Sequence, residues 1–466
     1  MRFYPTLLKS WPDFAALMKG VSAGAVPAVV TGVSGVHKCL LLAGTAAETG
    51  RKALVLAADE AEAQRFLGDL AALGRRPVFY PVRDFSFRDA ASVSHEYEQQ
   101  RIDALTRLLD SSADTVVACM DAALQVTLSP AALRERLFRV ESGQTLDPDD
   151  LVAALVRCGY VREEQTEGPG QFSRRGGIVD FFSPGAADPV RVEFWGDEVD
   201  SLSAFDAATQ RRTEPLTGVT VAPCTEVLPE NPAGLAKQIE KLAGTLRGKH
   251  AARAREILAG EAEKLRSGIH LGSMDKFLPL LGEPATLFDY FPPRDSLLFF
   301  SEGSKLKERL RAGALQWAED LKAYLAEGTL CKGLDTYTKT WEDALAHAEA
   351  TPTVFLDIFA RGSYEIPTKT LVNANARQLP VWAGSLQLLA DDLKGLLGQG
   401  RACVVLAGSE KAGQSLAEDL KQAGLPAAYL EDPATVAKGT VAVTVGTLSA
   451  GFELPGANFA LVTHGK

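Results

Sequence analysis

The stretch Gln171–Arg212, QFSRRGGIVDFFSPGAADPVRVEFWGDEVDSLSAFDAATQRR, organises the reading of this chain. Arg175-Gly176-Gly177 leads into an apolar run, Ile178 to Phe182, and Ser183-Pro184-Gly185 stops it, as proline and glycine do at turns. The next run alternates. Arg191, Glu193 and Trp195 fall on one face, Val192 and Phe194 on the other. Gly196-Asp197-Glu198 makes a second turn, and Val199 to Phe205 returns as a third strand. One face of the sheet therefore packs inward and the other carries arginine, glutamate and tryptophan, a composition typical of interface anchors. Spacing alone favours a plainer account, a solvated sheet face with one exposed tryptophan.

Around this stretch the chain is long and acidic. Its 466 residues suggest roughly three to four domains. The net charge of -10 argues against a nucleic-acid grip spread over the whole surface and suits a basic partner surface. Six cysteines are scattered without a CxxC pair, which predicts buried free thiols in a reducing cytoplasm and no metal site. The first residues lack the charged and apolar regions of a secretory leader, and no run approaches ~18 apolar residues, so no membrane span is expected.

Upstream, residues 26–31 read as a buried strand, followed by Gly32-Val33-Ser34-Gly35-Val36-His37-Lys38-Cys39 and a helix over Leu40–Glu48. Strand, glycine-rich loop, helix is the setting of a phosphate-binding loop. On G-x-x-x-x-G-K-[ST], Gly32 and Lys38 fit, but His37 replaces the second glycine and Cys39 the hydroxyl residue. A side chain there obstructs the backbone cradle, and a thiol is a poor ligand for the hard Mg²⁺ ion. Lys38 reads as a surface or helix-start lysine rather than a phosphate ligand. Strands at 52–57, 76–80 and 115–119 alternate with helices, which implies a parallel α/β sheet. A long charged helix is expected over Pro232–Ser267, with Leu235, Ile239, Leu242 and Leu246 at helical spacing, packing on that sheet. Solvated His250 and His270 are expected. The strand Ser296–Phe300 ends in Ser301-Glu302, where a nucleotide site would place its Mg²⁺-holding carboxylate, and a helix follows over Lys305–Gly328. A second strand–helix series follows residue 383, and the chain ends directly after a strand, as a fragment of a longer protein would.

The central stretch resembles one family group, the repair helicase subunit UvrB and the transcription-repair coupling factors (Mfd). Their partner-binding module is matched by Arg175-Gly176, by Ile178 to Phe182, by Arg191 to Asp200, and by Asp206, Gln210 and Arg211, with Ser183 where proline is usual. Asp89, Arg101 and Ala104 extend the resemblance. The short segment Tyr80–Asp89 leaves no room for the tyrosine-rich hairpin with which UvrB clamps DNA, and Ser301 replaces the aspartate of its DE-x-H box. These departures, with Pro367–Asn375, point to the amino-terminal half of the coupling factors.

That resemblance implies a degenerate helicase-like α/β domain in two segments (1–128 and 219–350), an inserted UvrA-binding domain (129–218), and a further α/β domain (351–466) with no legible site. It implies no catalytic or metal residues here. ATP, Mg²⁺, RNA polymerase and DNA would be handled by carboxy-terminal parts outside this chain. UvrA contacts would fall on Arg175, Arg191 and Trp195, with Glu193 and Asp197 beside them. Two guanidinium forks would meet partner carboxylates next to a large aromatic anchor. A cytoplasmic monomer is expected. The alternatives are a UvrB-like ATP-dependent repair enzyme and a DNA-binding module using Arg174, Arg175, Arg211 and Arg212.

Overall fold

A computed structural model of the chain describes residues 1–88, 94–229, 231–269, 271–282, 284–382 and 385–463. Asp89, named in the resemblance, lies with the residues up to Val93 outside the described residues, as do His270 and His464 to Lys466. Three sheets carry the architecture, and the α/β multidomain class expected from the sequence is the one observed.

The first is a seven-stranded sheet whose pairings are all parallel. Its central strands are apolar in their middles, with polar residues at their ends, as strands covered on both faces require. Alternate residues face opposite layers. Val55, Phe299 and Leu356 pack against helices Gly35–Thr49 and Glu60–Ala72. Leu56, Phe300 and Phe355 pack against Glu96–Leu109, Met120–Leu124 and Trp341–Ala350. Two of the seven strands, Thr353–Asp357 and Thr370–Asn373, flank Ala28–Thr31, so the sheet runs across the domain cut placed at residue 351. Pro352 stands immediately before a central strand, its carbonyl accepting from the Leu298 amide.

The inserted part is a six-stranded sheet over residues 161–216, antiparallel except for its short edge strand Val161–Arg162. A two-stranded pair, Phe138–Glu141 with Gly218–Val221, closes its root. Helix Pro148–Arg157 covers its inner face through Leu151 and Leu155, against Val179, Val192 and Leu202.

The expected helix Pro232–Ser267 is two helices, Pro232–Thr245 and Ala251–Arg266. Leu246 is extended and Gly248 has φ +104°, so the chain reverses between them. The pair builds its own core with Phe277, Leu334 and Tyr337, and does not lie on the sheet. Phe87, from the segment expected to be too short for a clamping hairpin, is buried in that core against Trp317, Tyr324 and Tyr337.

The last sheet has six strands within residues 377–463. Helices Leu386–Gly398 and Glu410–Gln422 cover one face. Its other face, including Val404, Leu406, Phe452 and Leu461, shares a continuous core with the amino-terminal helices and Gly35–Thr49. All six cysteines are buried and free, as expected.

Candidate partner-binding face and the altered phosphate loop

Three strands of the central stretch lie where the alternation places them, and a fourth, Gln171–Arg175, precedes them through a tight turn at Gly176 that the sequence reading did not include. Gln171–Arg175, Ile178–Phe181, Val190–Trp195 and Glu198–Phe205 are successive antiparallel strands. Gly176 and Gly196 take positive φ at the two tight turns. Cross-strand pairing then decides which side chains meet. Ser173, Asp180, Arg191 and Ser203 form one row on the outer face. Arg175, Ile178, Glu193 and Ser201 form the next, and Trp195 lies at the end of the same face.

Asp180 is the centre of this arrangement. It is buried, and both arginines close on it. Arg191 donates from Nε to Oδ1 and from Nη2 to Oδ2, each at 2.8 Å. Arg175 donates from Nη2 to Oδ2 at 2.7 Å. Arg191 also lies 4.7 Å over the Phe205 ring and reaches the Gln210 carbonyl. Its side chain is 11% exposed, against 46% for Arg175, so the two are not equivalent. Arg191 is a fork already used, and Arg175 keeps donors turned outward. Trp195 is 83% exposed, the largest exposure among the large apolar side chains of the described residues. Glu193 is bound by Arg212 and accepts from Ser201 Oγ at 3.0 Å. Asp197 is exposed on the turn beside Trp195, its carbonyl accepting from the Leu146 amide.

Sequence reasoning named Asp180 only as part of a motif. Its place on the outer face, opposite Arg191 in one hairpin and diagonal to Arg175 in the other, is the signal that could have identified it. Three of the four arginines of the DNA-binding alternative are engaged, Arg174 with Asp149, Arg175 with Asp180 and Arg212 with Glu193.

The phosphate loop has the expected place, between strand Ala28–Thr31 and a helix, but not the expected contents. The helix begins at Gly35, five residues earlier than predicted, because Ser34 and His37 form a reciprocal capping box. Lys38 is not a surface lysine. It is 1% exposed, and its Nζ donates to Ser301 Oγ at 2.8 Å and Glu302 Oε1 at 2.7 Å, with Glu62 Oε1 at 3.5 Å. Glu302, in the left-handed region, also accepts from the Ile358 amide. The carboxylate that would hold Mg²⁺ is therefore the counterion of the lysine that would hold phosphate.

The loop amides are committed too. Gly32 N–H donates to Ile358 O and Val33 N–H to Asp357 O, while Ser34 N–H points to His37 Nδ1. A Cβ on Gly32 would meet the Ala374 carbonyl oxygen at 2.5 Å, so backbone already fills the cradle. Burial lowers the His37 pKa from 6.5 to about 4, with the Arg377 backbone offsetting this in part. The residues present do not fit a nucleotide phosphate. Among the described residues no group of His, Cys, Asp and Glu could hold a metal ion, and no helix is long and apolar enough to cross a membrane.

Residues 138–226 match the family described as the UvrB interaction domain. The chain is 28% identical over 98% of its length to a transcription-repair-coupling factor of Bacillus subtilis, and 22% identical over its whole length to one of Staphylococcus aureus. A Staphylococcus epidermidis relative of the same name is 26% identical over 83% of the chain. The chain spans about 40% of the length of the first two and 33% of the third.

Proposed function

We propose that this chain, which matches the amino-terminal part of the transcription-repair-coupling factors and contains a UvrB interaction domain, recruits the damage sensor UvrA in transcription-coupled DNA repair. The chain contributes binding and no catalysis. RNA polymerase, DNA and ATP-driven translocation fall to parts of the longer relatives beyond the matched length. The module acts in the cytoplasm as a monomer.

One observation carries the reading. A tryptophan 83% exposed stands beside an Arg175–Asp180–Arg191 cluster that is already ordered. A soluble surface seldom keeps so large an apolar ring in water without a partner, and a preformed guanidinium array loses little entropy on docking. Trp195 supplies the desolvated anchor and Arg175 the charged fork. Arg191 and Asp180 hold that fork in place, Glu193 and Arg212 extend the charged strip, and Asp197 borders the anchor.

The test is a calorimetric titration of purified UvrA. Arg175→Ala and Trp195→Ala each weaken binding by about 2 kcal/mol, roughly 30-fold, with the fold intact. Wild-type affinity in both variants would overturn the assignment.

A further inference from the structure

The phosphate loop and the last α/β unit are both left without a role by that reading, and they touch. The strap between the first and last sheets is only Ala374-Asn375-Ala376, from edge strand Thr370–Asn373 to Arg377–Leu379. It crosses the loop mouth, where the Ala374 amide donates to Thr31 O and its carbonyl covers Gly32. Asn375 N–H is fixed by Asp13 Oδ2 at 2.9 Å. Beyond the strap, the His37 ring lies edge-on to Phe452, with centroids 6.0 Å apart. Phe452 stacks on Phe459, and Phe459 on Phe3. Cys39, where a Mg²⁺-binding hydroxyl would stand, is buried in the same core. A polar latch closes the rim, with Ser449 N–H and Oγ both donating to the Asp69 carboxylate at 2.6 Å.

We propose that the altered phosphate loop is the socket that seats the chain's own residues 377–463. The two departures from the nucleotide-binding pattern serve this joint. A glycine at 37 would leave a hole against Phe452, and a hydroxyl at 39 would need a partner inside an apolar core. The seated unit and the loop then form one rigid body that presents the inserted sheet without nucleotide control. The inference stands on the joint alone and does not depend on which partner the inserted sheet binds.

Hydrogen exchange on the full chain tests it, by reading each variant on the opposite side of the joint. Phe452→Ala speeds amide exchange in Gly35–Thr49 at least tenfold, and His37→Ala does the same in Gly451–Leu454 and Phe459–Thr463. Protection in Val190–Trp195, remote from the joint, reports that the fold persists. If Phe452→Ala also exposes that reference strand, Ser449→Ala decides, since it removes one latch hydroxyl from an exposed residue and speeds exchange in Gly35–Thr49 at least threefold. Smaller changes across the joint, with the reference strand protected, would overturn the proposal.

Discussion

Lys38 sits in the first turn of Gly35–Thr49 with its ammonium sealed against Ser301, Glu302 and Glu62. A lysine in that position is read from sequence as either a phosphate ligand or a solvated charge, and it is neither. Long-range packing brings the strand end at Ser301-Glu302 onto it, a meeting that no local spacing announces. Removing one partner of a buried ion pair strands the other charge, which costs more than the pair contributes. Lys38→Met should therefore destabilise the fold by about 3 kcal/mol, read as a lowered urea midpoint. A surface lysine would lose under about 0.5 kcal/mol, and such a result would contradict the buried pairing.

At the scale of elements, the inserted sheet is the most legible part of the chain. Strict alternation over Arg191–Trp195, with Pro184 and Gly185 before it and Gly196 after it, specifies strands, turns and faces together. What the alternation leaves open is how one face is wired. Arg175 and Arg191 look equal in sequence, yet cross-strand register gives Arg191 both oxygens of Asp180 and leaves Arg175 half-exposed. Asp180→Asn removes the charge that holds both guanidinium groups on one carboxylate. UvrA affinity should fall about tenfold with an unchanged circular dichroism spectrum. Unchanged affinity would mean that Arg175 needs no such support. The helical segment after the insertion shows the opposite limit. Leu246 keeps helical spacing, but Gly248 at φ +104° lets the chain turn back and bury Ile239 with Leu258.

Across the whole molecule, one layer of helices serves two sheets. Val36 and Leu40 belong to the same core as Val55 of the first sheet and Leu406 of the last. His37 lies in this joint, and its burial makes the joint sensitive to acid. Above pH 6.5 the ring is neutral in both folded and unfolded chain, and it adds no slope. Between pH 6.5 and about 4 the unfolded chain binds the proton that the folded chain refuses, so stability falls as pH falls. The full contribution is about 3 kcal/mol, at about 1.4 kcal/mol per pH unit. Denaturant titrations from pH 7 to pH 4 should show this slope reduced in His37→Asn. An equal slope in the variant would place the titration elsewhere.

The sequence by itself determined the α/β class, three consecutive strands of the inserted sheet, the damage to the phosphate loop, and the face on which Arg191, Glu193 and Trp195 stand. Periodicity and turn chemistry act over a few residues, so they are written locally. Only the tertiary structure decided that Glu302 neutralises Lys38, that Asp180 unites two arginines, that strands beyond residue 351 complete the first sheet, and that the last sheet rests on the altered loop. Each is a contact between distant segments, set by how whole layers pack rather than by any neighbouring residue.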